Sequence, residues 1–78
     1  MNSNNVDVVV CLNHKPEARE FHEIETALNR IRGVRGVTLN NHVTRLVNVS
    51  YDPAQTRARA ILDSVVRNGH GAARLVGM

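Results

Sequence analysis

The chain has 78 residues, of which 42% are apolar and 22% are charged, and this balance is typical of one small globular domain. The formal net charge is +3, but nine of the ten basic residues are arginines spread along the sequence. Because Phe21 and Tyr51 are the only aromatic residues, stacking rings for bases are lacking and we expect no nucleic-acid partner.

Cysteine content and hydropathy narrow the class of protein further. The single cysteine, Cys11, excludes an internal disulfide framework. No apolar run approaches the roughly 20 residues that a membrane span needs, and the N-terminus lacks a signal-peptide pattern. We therefore expect a soluble cytoplasmic protein with no membrane partner.

The first segment is predicted to be a tail followed by a strand. Residues 1–5 are polar and are expected to form a flexible tail, which leaves residues 6–78 as the domain. Val6–Leu12 is short, rich in β-branched residues and bounded by polar ones, as strands are. Alternation predicts that one set of side chains faces the core: Val6, Val8, Val10 and Leu12.

The stretch from His14 to Gly36 is predicted to contain the first helix. Pro16 suits a first helical position, and Gly33 suits the left-handed residue after the last turn. The apolar residues recur at steps of three and four and so form one stripe: Phe21, Ile24, Leu28 and Ile31.

A hairpin is predicted to follow the helix. Val37–Asn40 forms its first strand, Asn41 and His42 its turn, and Val43–Tyr51 its returning strand. We expect this turn to lie at the opposite end of the domain from the loop that precedes the first helix, so His42 is interpreted as a surface histidine.

The second helix is predicted to begin near Asp52. Asp52 can act as the N-cap with Gln55 completing a capping box, although Thr56 is an equally good cap. Ala72–Val76 is the predicted last strand. The apolar stripe of this helix consists of Ile61, Leu62, Val65 and, at its margin, Val66.

The order of elements is therefore β, α, β, β, α, β. This order is that of the ferredoxin-like fold, an α+β sandwich in which two helices cover one face of a four-stranded antiparallel sheet. The fold alone does not give a function.

Several segments in this order carry a resemblance to a known family. The segments are IETAL at 24–28, GVRGV at 33–37, VNVSYDP at 47–53, an isoleucine at 61 and RNGHGA at 67–72. From residue 24 onward the chain resembles the heavy-metal-associated domain of copper chaperones and of the N-terminal modules of metal-transporting P-type ATPases. That family binds metal through a Met-X-Cys-X-X-Cys loop at the start of the first helix. Counting back from IETAL, the resemblance puts the two thiol positions on Glu17 and Glu20 and the methionine position on Lys15.

The absence of both thiols leads to two alternatives for this loop. In the first, Glu17, Glu20, His14 and His70 form a replacement site for a divalent metal ion such as zinc or nickel, because carboxylate and imidazole suit harder or borderline ions. In the second, the two glutamates stabilise the start of the helix through its dipole and no metal binds. The resemblance implies that His70 lies near the loop.

The remaining candidate ligands have simpler interpretations. His22 is expected to point to solvent from the first helix. Cys11 could be a thiol ligand or a redox group, although a single cysteine on a strand is usually a small packing residue, and its role stays open.

A second hypothesis is a protein-interaction module that needs no metal. The sheet face without helices would carry more apolar side chains than a solvated face requires, and such patches often mark partner surfaces. The expected partners are a second copy, giving a homodimer, or a metal-transport protein. The residues proposed for this surface are Val9, Cys11, Leu46 and Val76.

An enzyme is not expected. Small acyl-phosphate hydrolases share this order of elements, but they need an arginine-bearing phosphate cradle after the first strand. Here the loop reads LNHKPEA, and Lys15 is its only cation.

Overall fold

The computed structural model describes residues 5–40, 45–69 and 73–76. The elements in chain order are β1 Val6–Cys11, α1 Ala18–Asn29, β2 Val34–Leu39, β3 Leu46–Tyr51, α2 Ala58–Arg67 and β4 Arg74–Val76. The strands form one sheet in the order β2-β3-β1-β4, and every neighbouring pair is antiparallel. This architecture confirms the predicted ferredoxin-like α+β fold.

Both helices pack on one face of the sheet. The sheet contributes alternate residues to the core, and the helices contribute Ile24, Leu28, Ile61 and Val65, which are completely or almost completely buried. Removing such apolar surface from water is the main stabilising term for a small domain. The core residues of the sheet are Val8, Val10, Val37, Val47, Val49 and Tyr51.

The first strand follows the predicted alternation except at its first residue. Val6 pairs with Tyr51 and so lies on the core side, yet it is 40% exposed because it stands at the end of β1. The predicted tail, 1–5, falls on residues of which only Asn5 is described.

The first helix starts later than predicted. Glu17 is its N-cap with extended backbone, and Pro16 is a buried residue of the preceding loop and not a first helical position. Gly33 has φ +102° as predicted, and β2 starts directly after it at Val34. β2 starts early because Val34 already pairs with Tyr51, and a bulge then lies between Val34 and Gly36.

Asp52 does not cap the second helix. Its Oδ1 accepts a hydrogen bond from the backbone N–H of Ala54 at 2.9 Å, and its Oδ2 accepts one from the Gln55 side chain at 3.2 Å. These bonds close a separate turn, and α2 begins six residues beyond Asp52, at Ala58, with Arg57 as N-cap. The predicted caps Asp52 and Thr56 are therefore both wrong, because an aspartate closes a local turn with the same chemistry as it caps a helix.

The start of β3 lies beside the loop that precedes α1. The backbone N–H of Leu12 donates to the carbonyl of Arg45 at 2.8 Å, and Leu46, the first residue of β3, pairs with Cys11, the last residue of β1. His42 lies outside the described residues, but the expectation that its turn is at the opposite end of the domain is wrong. An antiparallel β3 must start where β1 ends.

Candidate functional site

The loop between β1 and α1 is the position of the predicted metal site. It runs from Leu12 to Glu17, and the side chains of His14, Lys15 and Glu17 are exposed. Leu12 and Pro16 are buried, so the loop is attached to the domain at both ends while its polar side chains face solvent.

The two glutamates are arranged as a capping pair at the start of α1. Oε1 of Glu20 accepts a hydrogen bond from the backbone N–H of Glu17 at 2.9 Å, and the carbonyl of Glu17 accepts the first helical bond from Phe21. Carboxylates at this end are also favoured by the helix dipole. One oxygen of Glu20 therefore serves the helix whether or not an ion is bound.

The other oxygen of Glu20 faces a histidine. Nε2 of His14 lies 3.4 Å from Oε2 of Glu20, with the two side chains 52% and 34% exposed. When Nε2 carries the proton, it donates to this carboxylate, and Nδ1 then carries the lone pair. A histidine that ligates a metal commonly makes such a bond through its other ring nitrogen.

The sequence-predicted ligands are brought together only in part. The structure joins His14 to Glu20, while Glu17 meets Glu20 through its backbone, and His70 lies outside the described residues. Within residues 5–40, 45–69 and 73–76, no three His, Cys, Asp or Glu side chains converge as metal ligands. The available donors are nitrogen and oxygen, which fit a borderline or hard divalent ion better than monovalent copper.

His22 lies away from this loop on the exposed side of α1. Its Nδ1 is 3.8 Å from Oε1 of Glu25, one helical turn further along. As predicted, it points to solvent.

The proposed interaction residues share the sheet face that no helix covers, which we call the helix-free face. Val9 pairs with Val76, and Cys11 pairs with both Leu46 and Arg74. Val76 is 40% exposed, and Val9 and Leu46 are half-buried. Cys11 is only 7% exposed, and its Sγ lies 3.5 Å from the carbonyl oxygen of Leu12, so the thiol adds little to the surface.

A shallow depression lies on the same face, and the sequence already indicates that Asn48 and Ser50 lie there. The alternation of polar residues in β3 was the available signal, since Asn48 and Ser50 must face away from Val47 and Val49. The depression is lined by Asp7, Val9, Gly36, Thr38, Asn48 and Ser50.

The described part of the chain contains no helix with the length and apolar character that crossing a bilayer requires.

Comparisons with known proteins relate the chain to solved structures. No family model and no curated protein sequence matches it. The N-terminal domain of PacS from Synechocystis is 25% identical, with a TM-score of 0.72, and the match covers 91% of this chain and 97% of that one. The N-terminal domain of a potential copper-translocating P-type ATPase from Bacillus subtilis, solved in the Cu(I)-loaded state, is 22% identical with a TM-score of 0.75 and coverage of 91% and 84%.

A further match is longer than this chain. The N-terminal soluble domains of Bacillus subtilis CopA are 30% identical with a TM-score of 0.77, and the match covers 90% of this chain but only 47% of that one. The chain thus spans about half the length of the CopA structure. All three matches agree with the element order and sheet topology described above.

Proposed function

We propose that this chain, which has the fold of the heavy-metal-associated domains, handles divalent metal ions through the loop between β1 and α1. The observation that carries the proposal is the contact between His14 and Glu20, 3.4 Å apart. It falls at the start of α1, where the resembled family carries its metal loop. The copper-related names of the structural neighbours support metal handling as the general role.

The donor set favours zinc or nickel over monovalent copper. The proposed site residues are His14, Glu17, Glu20 and His70, which offer imidazole nitrogen and carboxylate oxygen. Such donors suit borderline ions, whereas monovalent copper prefers thiolates. Cys11 is the only thiol in the chain and is buried at the end of β1.

The position of the loop suits an ion that is carried and passed on. His14 and Glu17 are exposed and Glu20 is partly so, which lets a partner's ligands approach without opening the domain. Glu20 holds the imidazole against the start of α1 through its Oε2 atom, while its Oε1 atom stays on the backbone of Glu17. The proposed partner is a metal-transport protein, and the proposed location is the cytoplasm.

Calorimetric titration with zinc, nickel, cobalt and monovalent copper tests this function. We expect zinc and nickel to bind the unaltered chain, and the double variant Glu17→Ala, Glu20→Ala to bind them at least ~10-fold more weakly, since each lost ligand or supporting group costs about 10–100-fold. The matched control is Glu23→Ala, Glu25→Ala, which removes the same charge from the same helix. Equal affinity of the two double variants, or no binding by the unaltered chain, would overturn the proposal.

A second candidate is a metal-free interaction module that uses the helix-free face. This candidate is favoured by Val76, which is 40% exposed on the helix-free face and pairs with the half-buried Val9. The variant Val76→Asp should abolish self-association or docking. Val66→Asp is the control, because Val66 is 38% exposed on α2 and lies off this face. Sedimentation that shows only monomer over a wide concentration range, together with no partner lost on Val76→Asp, would count against the module.

A further inference from the structure

The fold gathers arginines that are far apart in the sequence. Arg30 and Arg32 lie in the connection from α1 to β2, Arg35 lies at the start of β2, and Arg57 and Arg59 lie at the start of α2. Because β1 and β3 are antiparallel, these connections lie at the end of the domain opposite the loop with His14 and Glu17. We call residues 30–35 and 52–59 the basic end.

The two segments of the basic end form one unit. The backbone N–H of Asp52 donates to the carbonyl of Gly33 at 2.8 Å. A Cβ placed on Gly33 would stand 2.8 Å from Cβ of Gln55, so the two connections are in close contact. The arginines are therefore carried on a fixed backbone and not on independent loops.

The basic end carries many more positive than negative side chains. Five arginines stand against one carboxylate, Asp52, a local excess of four positive charges. Among the described side chains, Arg35 is the arginine that pairs with it, at 3.9 Å, and the guanidinium groups of Arg30, Arg32, Arg57 and Arg59 are exposed with no carboxylate at ion-pair distance.

Most of the carboxylates lie elsewhere. Four of the seven are on α1 or at its N-cap: Glu17, Glu20, Glu23 and Glu25. Asp7 lies on the helix-free face, one residue from the end of β1 that adjoins the basic end, and Asp63 lies further along α2. The other five cations, Lys15, Arg19, Arg45, Arg67 and Arg74, lie toward the end with His14, so positive charge alone does not distinguish the basic end. Its arginines differ in being carried on two connections that are bonded to each other.

We propose that the basic end docks an acidic protein segment. Guanidinium groups bind carboxylates through two parallel hydrogen bonds, so a set of unpaired arginines on a rigid surface fits a run of Asp or Glu. A membrane surface fits less well, because residues 30–35 and 52–59 contain no exposed large apolar side chain, and Val6, which pairs with Tyr51, is the one such residue described beside them. Nucleic acid also fits less well, since neither segment contains an aromatic residue.

This surface is separate from the proposed metal loop. A partner held at the basic end would leave His14, Glu17 and Glu20 open at the other end. The inference does not depend on metal binding and would stand if the loop bound no ion.

Fluorescence anisotropy with a labelled poly-glutamate peptide at low ionic strength tests the proposal. The triple variant Arg32→Gln, Arg57→Gln, Arg59→Gln should bind the peptide ~10-fold more weakly, because three exposed ion pairs with the peptide are lost. It leaves Arg35 and its bond to Asp52 intact. The matched control, Arg19→Gln, Arg67→Gln, Arg74→Gln, removes the same charge from exposed positions elsewhere and should change the affinity less than ~2-fold.

Parallel titrations with duplex DNA and with phosphatidylserine vesicles distinguish the classes of partner. We expect the peptide to bind. We expect the affinities for DNA and for the vesicles to fall no more in the first triple variant than in the control variant. Equal losses in the two triple variants with the peptide would show a general effect of net charge and overturn the proposal. So would tighter and patch-dependent binding of DNA or vesicles, or no binding of the peptide.

Discussion

The Nε2 atom of His14 lies 3.4 Å from Oε2 of Glu20, while Oε1 of the same carboxylate accepts the backbone N–H of Glu17. One glutamate thus links the loop before α1 to the first turn of the helix. Helix capping by Glu20 is therefore compatible with a metal held by His14, because Oε1 serves the cap and Oε2 faces the imidazole.

Replacing Glu20 by Gln removes the negative charge and keeps the shape of the side chain. We expect zinc affinity to fall by about 10–100-fold, as happens when the carboxylate that orients a ligating histidine is altered. Glu23→Gln is the control, because Glu23 is an exposed carboxylate on the same helix. Calorimetry of the two single variants checks the prediction, and it fails if both lose affinity to the same extent.

Three glycines give a graded prediction for stability. Gly33 has φ +102° and a Cβ there would meet Cβ of Gln55, Gly69 has φ +98° with open space, and Gly36 has neither constraint. Replacement by Ala should therefore cost most at Gly33, about 1–3 kcal/mol of backbone strain plus the contact, and less at Gly69. Urea unfolding of the three variants measures this order, and a Gly36→Ala variant as unstable as Gly33→Ala would contradict it.

One prediction concerns how α2 packs in the hydrophobic core. Ile61 is completely buried between helix and sheet, so Ile61→Ala should lower the free energy of unfolding by about 2–5 kcal/mol. Val66 on the same helix is 38% exposed, and Val66→Ala should stay within about 0.5 kcal/mol of the unaltered chain. Thermal or urea unfolding measures the free energy of unfolding of both variants. Similar decreases in the two would mean that α2 packs through a different face.

The thiol of Cys11 is predicted to react slowly in the folded protein. The residue is 7% exposed even though it lies on the helix-free face. A thiol reagent should modify it at a rate that rises steeply when urea unfolds the domain, because labelling requires opening. If the thiol of Cys11 were labelled in the folded protein almost as fast as in the unfolded chain, the start of β3 or β4 would not be covering it.

The periodicities of the sequence predict the order of elements well. Val8 and Val10 alternate as a half-buried strand, and Ile24 and Leu28 recur as a helical stripe, because both patterns follow from local geometry. Asp52 closes a turn and does not cap α2, which begins at Ala58. The sequence does not distinguish these roles, because a turn and a helix cap use the same carboxylate chemistry.

The relations between distant segments could not be predicted in the same way. The end of the domain at which β3 begins follows from the pairing of Cys11 with Leu46, and hydropathy patterns along the chain do not show which strands pair. The contact of His14 with Glu20 depends on the conformation of the loop around Pro16, which has no periodic signal. The gathering of Arg32 and Arg57 is a property of the topology and not of the composition.

Residue-resolved NMR during a zinc titration tests the central claim most directly. The account predicts that the backbone amide and imidazole resonances of residues 13–20 shift in a saturable way, with His14 coordinating through Nδ1, while residues 30–35 and 52–59 stay unchanged. A saturable shift elsewhere in the chain that spares His14, or no saturable shift at all, would contradict a metal site in the loop between β1 and α1.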